Sequence, residues 1–187
     1  EATGRAVRAV ARDQLGPDPP RRVQEAVEKR GEATGPSPVD RGKSGTAIHI
    51  ASDARAMPLA VTVTRAGAND GCQTHKVLAA LVVRPPAPEV PTDTPDERGR
   101  PTGRADGAYG NDPSRDRAGS QGFRLYAPGR GQKRPGVGKV RNAVERCHNF
   151  FAQFGRVGRR LDRNARYYLG WCQLAACVIF IRSGFVR

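Results

Sequence analysis

Apolar positions between residues 46 and 64 follow the pattern of two neighbouring strands. A β-branched run covers residues 47–52, a polar connection follows, and a second such run covers residues 59–64. This arrangement predicts a β-hairpin. Asp53, in the connection, is predicted to be a turn residue rather than a metal ligand. His49, on the first strand, is predicted to be packed or exposed rather than catalytic.

Four helices are predicted after the hairpin. Residues 73–83 place four apolar side chains at intervals of three and four, at Val77, Leu78, Leu81 and Val82. The final fifty residues, from Gly138 onward, are predicted to be helical and begin with one apolar stripe at Val140, Val144, Cys147, Phe151 and Phe154. A last helix is predicted from Arg163 to Arg182. Between these, residues 110–122 predict a helix and residues 123–127 a short alternating strand.

The first thirty residues and the segment before residue 105 show weaker patterns. Val7 and Val10, then Val23 and Val27, have helical spacing on either side of a Gly/Pro-rich break at residues 16–20. Residues 84–104 are rich in proline and acid, as in a surface loop. Residues 102–105 show little strand pattern. We expect residues 1–30 to be an altered or poorly ordered segment, and residues 31–187 to form the main domain.

Charge and composition narrow the classes of partner. The 187 residues have a formal net charge of +14, and glycine and proline together make up 37 of them. Such a charge makes a polyanion such as DNA the expected partner. No apolar stretch is long enough to cross a bilayer, and no signal peptide opens the chain. We therefore expect a cytoplasmic protein without a membrane partner.

Two familiar kinds of ligand site are disfavoured by the spacing. Cys72, Cys147, Cys172 and Cys177 form no CxxC pair, which argues against a zinc site. Gly42-Lys43-Ser44 resembles the end of a phosphate-binding loop, but that motif needs a glycine at position 37, where this chain has Ser37.

Two acids stand out as candidate metal ligands. Asp106 lies in Arg104-Ala105-Asp106-Gly107-Ala108-Tyr109, and Glu145 lies in an Arg-rich stretch of the predicted helix, beside the stripe residue Val144. Two carboxylates presented by a strand end and by the inward face of a helix can hold magnesium near a polyanion. Taken singly, an Asp-Gly turn and a surface glutamate are the more ordinary interpretations.

The order of these segments resembles the DDE transposases of bacterial insertion sequences, in the group named for insertion sequences four and five. The resembling segments are residues 34–40, 42–63, 67–70, 105–109 and 141–146, and the aromatic, arginine-rich tail at 150–181. The resemblance implies an α/β fold, with a mixed sheet in an RNase-H-like core and flanking helices. It also implies metal-dependent strand cleavage and strand transfer at the ends of an insertion sequence.

The resemblance assigns roles to particular residues and leaves one role unfilled. Asp106 matches the second acid of the family and Glu145 the third, both as catalytic ligands of Mg²⁺ or Mn²⁺. The first acid has no recognisable match, since Asp18 and Glu25 are only the acids nearest its expected position. We therefore hypothesise that this copy has little or no activity. Relatives act as dimers or larger assemblies on double-stranded DNA, so self-association is also implied.

The alternative is a basic DNA-binding remnant of a transposase without chemistry. Its candidate phosphate contacts are Lys139, Arg141, Arg146, Arg156, Arg159, Arg160 and Arg163. If the last four were helical, they would share one face. A third interpretation is an open-reading-frame fragment with no cellular role.

Overall fold

The computed structural model describes residues 8–13, 31–38, 41–82, 100–129 and 137–184, and side chains in all of these except 8–13 and 137–141. The strands are β1 (Arg8–Asp13), β2 (Gly35–Pro36), β3 (Ser44–Ser52), β4 (Pro58–Arg65), β5 (Thr102–Arg104) and β6 (Arg124–Tyr126). The helices are α1 (Thr74–Ala79), α2 (Asp112–Gly119), α3 (Val137–Ala152), α4 (Gly155–Gly158) and α5 (Ala165–Arg182). Single 3₁₀ turns lie at Gly71–Gln73 and Gly107–Tyr109.

Five strands form the main sheet in the order β4-β3-β1-β5-β6, and the short β2 pairs with the beginning of β3. β3 is antiparallel to both β1 and β4, whereas β5 is parallel to β1 and to β6. Consequently β1, β4, β5 and β6 all point the same way. Their carboxyl ends meet at one edge of the sheet.

The predicted hairpin is confirmed as β3 and β4, which pair from Thr46↔Arg65 to Ser52↔Pro58. Asp53 forms the turn, as predicted, because its Oδ1 accepts hydrogen bonds from the backbone N–H groups of Arg55 (2.8 Å) and Met57 (2.9 Å). Ala56 between them has a φ of +69°. His49 is fully buried, and its Nε2 lies 2.7 Å from Thr64 Oγ1.

The alternating side chains of the hairpin separate two hydrophobic clusters. Ile48, Ile50 and Val61 face the cluster that includes Cys147, Phe151, Tyr168 and Cys172 of α3 and α5. Ala51 and Ala60 face the opposite cluster, with Val77 and Leu78 of α1 and Tyr109. The sheet therefore lies between two helical layers, because a strand with apolar residues on both faces must be covered on both faces.

The predicted helices are confirmed as α1, α2, α3 and α5, and the short strand at 123–127 is confirmed as β6. Val144, Cys147 and Phe151 of the predicted stripe are fully buried. Val82 departs from its predicted place on the buried face of α1, since the helix ends at Ala79 and Val82 is 91% exposed.

Two segments with weak sequence patterns are central strands. Val10, assigned helical spacing with Val7, lies in β1, between β3 and β5. β5 occupies residues 102–104, where little strand character was expected, and pairs with β1 and β6. Both corrections have the same reason. Ladder hydrogen bonds from distant neighbours outweigh the weak local preference of these short segments. Val23, Val27, Asp18 and Glu25 lie outside the described residues.

Candidate functional site

Asp106 lies directly beyond β5, at the edge where the carboxyl ends of the strands meet. The backbone N–H of Ala105 donates to Tyr126 O at 3.1 Å, so pairing with β6 continues up to the residue before Asp106. In sheets with parallel strands this edge is the usual place for a ligand. Asp106 is half-buried and follows the short strand β5. This location agrees with the prediction that a strand end presents its carboxylate.

The chain after Asp106 is fixed in a single conformation. Asp106 Oδ1 accepts a hydrogen bond from Ala108 N at 2.9 Å and caps the 3₁₀ turn at Gly107–Tyr109. Tyr109 is buried in the core beneath the turn. A Cβ on Gly110 would overlap the carbonyl oxygen of Pro128, so only glycine allows this approach to the chain after β6. Asp106 is thus positioned by β6 on one side and by the core on the other.

Asn111 adds a connection at this edge that sequence reasoning missed. Its Oδ1 accepts from Ser114 N at 2.9 Å as the N-cap of α2, and its Nδ2 donates to Ala108 O at 3.3 Å. Ser114 also lies against Gly71 in the loop after β4. The Asn-Asp-Pro sequence at 111–113 is a typical helix start and could have revealed this cap.

The register of β1 bears on the missing first acid. Arg8 of β1 pairs with Arg104 of β5 in parallel. Val10 and Asp106 each lie two residues beyond this pair in sequence, and the register of β1 against β3 shifts by one residue between Arg8 and Val10. The acid on β1 is Asp13, the last residue of the strand, three residues past Val10, which corresponds to about 10 Å of extended chain. The residues that follow Arg8 along β1 are Ala9, Val10 and Ala11, and none of them is an acid.

Glu145 lies on α3, which packs on β1 and β3. Its neighbours Val144 and Cys147 are fully buried, but Glu145 and Arg146 are exposed. The expectation of an inward-facing Glu145 is therefore wrong, because the buried face of α3 consists of Ala143, Val144, Cys147, His148 and Phe151, and Glu145 lies outside it. Asp106 follows β5, which pairs with β1, and Glu145 belongs to α3, which packs on β1. In the part of the chain described above, no three His, Cys, Asp or Glu side chains are grouped so that they could hold a metal ion.

The expected row of arginines on one helical face is not formed. Arg156 lies in α4, which ends at Gly158, and Arg159 has an extended backbone with φ −127° and ψ 100°. Arg163 is exposed in the connection before α5, which begins after the capping residue Asn164. Glycines at 155 and 158 and the Asn164 cap break the helix that a shared face would need. The side chains of Lys139 and Arg141 are outside the described set.

Arg160 is an interior residue with only 6% of its surface exposed. Its guanidinium donates to Glu32 O (2.6 Å), Asp162 O (2.9 Å), Arg163 O (3.2 Å) and Thr46 Oγ1, and lies 5.1 Å from the Tyr168 ring centroid. Burial lowers the pKa of Arg160, and nearby Tyr168 opposes this effect. These contacts leave Arg160 unsuited to a DNA phosphate. Arg160 and its partners are separated by up to 128 residues in sequence, so no local sequence pattern could predict these contacts.

Comparison with known proteins identifies the family. The chain is 32% identical over 152 residues to a protein of Burkholderia cepacia assigned as the transposase for insertion sequence element IS402, and the match covers 78% of this chain and 67% of that protein. The chain belongs to the insertion-sequence transposases. No family model matches this transposase, and no solved structure matches it. None of the helices in the described ranges has the length and apolar content needed to cross a membrane.

Proposed function

We propose that this transposase descends from a DDE enzyme of the group named for insertion sequences four and five, with an RNase-H-like core. The order β4-β3-β1-β5-β6, with β3 antiparallel to its neighbours, supports this proposal. So does the location of Asp106 just past β5, beside the central strand β1. That location, together with the related transposase, is the observation on which the proposal chiefly rests.

The proposed reaction is cleavage and joining of double-stranded DNA at the ends of an insertion sequence. Asp106 and Glu145 would hold Mg²⁺ or Mn²⁺, because carboxylate oxygens are ligands that suit these ions. When bound, the ion would supply Lewis-acid stabilisation of the phosphoryl group under attack. The chain's own contribution is positional: Ala108 N fixes one oxygen of Asp106, and the core under Tyr109 fixes its backbone.

Exposed arginines would bind the DNA backbone near this site. Arg146, Arg156 and Arg163 are exposed, so their guanidinium groups are available to phosphates, unlike that of Arg160. Arg159 is half-buried and its Nε atom is buried. Phosphate contacts of this kind supply salt-sensitive, sequence-independent affinity. Self-association on DNA, and DNA contacts by Lys139 and Arg141, remain predictions from the resemblance.

A second candidate is a DNA-binding remnant with impaired chemistry, and the sequence of β1 favours it. Ala9, Val10 and Ala11, which follow the Arg8–Arg104 pair along β1, offer no carboxylate, which would leave two carboxylates where the family is expected to have three. Positioning and charge stabilisation account for most phosphoryl-transfer catalysis. We therefore expect this copy to bind DNA and to cleave it poorly.

The decisive experiment restores the absent carboxylate. Val10→Asp is expected to raise Mg²⁺- or Mn²⁺-dependent cleavage of duplex DNA containing the element ends at least about tenfold over the unmodified chain, an effect of about 1.4 kcal/mol on the barrier. Val10→Asn is the matched control without charge. Adding Asp106→Asn or Glu145→Gln to Val10→Asp should abolish the gain.

Binding of Mn²⁺, measured by calorimetry on the same variants, gives a readout independent of cleavage. We expect Val10→Asp to tighten Mn²⁺ binding and Asp106→Asn to weaken it. Robust cleavage by the unmodified chain would contradict the impaired-copy proposal. Cleavage or Mn²⁺ binding that is unaffected by Asp106→Asn would contradict the assigned site.

A further inference from the structure

The outer face of α5 exposes an aromatic pair among arginines. Tyr167 is 66% exposed and Trp171 is 37% exposed. They are four residues apart on one helix, so their side chains lie next to each other on its surface. The Arg156 guanidinium carbon lies 5.4 Å from the centroid of the Trp171 ring. Large aromatic rings left in solvent beside a cation point to a ligand with both a flat apolar face and negative charge.

The charge around this pair is predominantly positive. Residues 155–184 contain six arginines and one acid, Asp162, whose Oδ2 atom is buried. Arg163 and Arg166, which are both exposed, precede Tyr167 along the chain. The acid that reaches the beginning of α5 from another segment is Glu32, whose Oε2 accepts a hydrogen bond from Ala165 N at 3.2 Å. With six arginines against Asp162 and Glu32, the charge around the aromatic pair remains positive.

We propose that Tyr167 and Trp171 form a stacking platform for unpaired bases of a single DNA strand. Each nucleotide of a single strand offers the flat π-face of its base and a negatively charged phosphate. Base stacking on aromatic side chains next to cations is the general mode of single-strand binding. The bases stack on the exposed rings, and Arg156, Arg163 and Arg166 contact the adjacent phosphates. This inference rests on the proposed function, in which DNA is the substrate, and names an unpaired segment as the part held here.

The competing occupant is a second copy of the chain. Tyr167, Trp171, Leu174, Val178 and Ile181 recur at intervals of four and three, which is the spacing of a helix-pairing stripe. However, α5 contains Arg166 and Arg182 and no acid, so a second copy offers no opposite charge along this helix. Charge complementarity favours the nucleic acid over the second copy.

Trp171 makes the proposal directly measurable, because it is the single tryptophan of the chain. Titration of the full chain with a short oligothymidylate should quench its fluorescence saturably, since a stacked base quenches an indole. A hairpin duplex at equal phosphate concentration should quench it much less. Equal quenching by the duplex would overturn the proposal, because paired bases have no free face to offer.

Variants that remove a ring without changing the charge separate the contribution of stacking to DNA affinity from that of the arginines. Tyr167→Ala and Trp171→Ala should each weaken anisotropy-measured binding of labelled oligothymidylate at least about fivefold, and Trp171→Phe should retain most of the affinity. Leu174→Ala is the matched control, because Leu174 is 54% exposed on the same face but has no ring. It should leave oligothymidylate affinity unchanged.

Three outcomes would overturn the platform. The first is unchanged oligothymidylate affinity in Tyr167→Ala, whose exposed position keeps the fold intact. The second is a loss as large in Leu174→Ala. The third is a change in the sedimentation coefficient of Tyr167→Ala or Trp171→Ala without a change in oligothymidylate affinity. That result would assign this face to contact with a second copy of the chain. If the chain binds duplex DNA in a salt-dependent manner but oligothymidylate does not quench Trp171, only the stacking platform is contradicted. If the chain binds neither DNA, the proposed function is contradicted as well.

Discussion

At the residue scale, single polar side chains determine the loops next to the sheet. Asp53 and Asp106 use the same device, in which a carboxylate oxygen accepts from a backbone N–H two residues later. The consequences differ with burial. Asp53 is enclosed and stabilises the hairpin, whereas Asp106 lies at the open edge of the sheet and keeps its side chain half-exposed. Local chemistry is thus the same, and tertiary position separates a structural aspartate from a candidate ligand.

Replacing Asp53 tests its structural role. Asp53→Ala removes the acceptor for two backbone N–H groups, next to Ala56 with its positive φ. We expect the free energy of unfolding to fall by about 1–3 kcal/mol, the usual cost of leaving a buried donor unsatisfied. Asp53→Asn keeps the oxygen and should lose less. Urea unfolding measures both, and equal losses in the two variants would contradict the proposed bonds.

At the element scale, the connection between α4 and α5 is stabilised by a segment from the other end of the described chain. Glu32 N donates to Arg163 O at 2.8 Å, Ala165 N donates to Glu32 Oε2 at 3.2 Å, and Arg160 donates to Glu32 O. Thr46 of β3 also bonds Ala33 O at 3.0 Å. These bonds connect residues 31–34, the hairpin and α5, around one buried guanidinium.

Arg160 is therefore expected to matter for stability rather than for DNA binding. Arg160→Ala leaves buried carbonyl groups without donors, and we expect it to lower the free energy of unfolding by at least about 2 kcal/mol. Arg160→Lys should recover little, because an ammonium group cannot reproduce the planar set of donors.

The matched control for Arg160 is Arg163→Ala. Arg163 is an exposed arginine of the same connection, and its removal should change stability by no more than about 0.5 kcal/mol. Thermal and urea unfolding provide the comparison. Equal stability of Arg160→Ala and Arg163→Ala would show that the buried contacts do not determine the fold of this connection.

At the scale of the whole molecule, two clusters on opposite faces of one sheet make the fold. Cys147 and Cys172 lie in the cluster formed with α3 and α5, and Cys72 and Cys177 are exposed. Burial, with a smaller contribution from the nearby Asp53, raises the pKa of Cys147 to about 12. Burial also raises the pKa of Cys172 to about 12, although Arg160 opposes this effect. Both buried thiols stay protonated at neutral pH.

Thiol labelling should report this architecture. At pH 8 we expect Cys72 and Cys177 to react quickly with a disulfide reagent, and Cys147 and Cys172 to react only after global unfolding. Above pH 9 unfolded thiols ionise while the buried ones hold their protons, so stability should fall as the pH rises toward 12. Rapid labelling of four thiols in the native chain would contradict the two-cluster fold.

The hairpin, α3 and α5 were predictable from the sequence because their signals are local. β-branched runs around Asp53 specify a hairpin, and the spacing of Val144, Cys147 and Phe151 specifies a buried helix face. Asp106 and Glu145 were proposed from the sequence as members of an ordered set of motifs, and their role as metal ligands stays a prediction. Composition alone indicated the polyanionic partner.

The strand conformation of β1 and β5, and the exposure or burial of each arginine, were determined by tertiary structure alone. A strand such as β5, with three residues, has no pattern long enough to predict, and it exists because β1 and β6 pair with it. Arg156 and Arg160 are both arginines of one short segment, yet one is at the surface and the other is enclosed by Glu32 and Tyr168. The physical reason is that periodicity encodes contacts between near neighbours, whereas strand pairing and burial depend on residues up to 128 positions away.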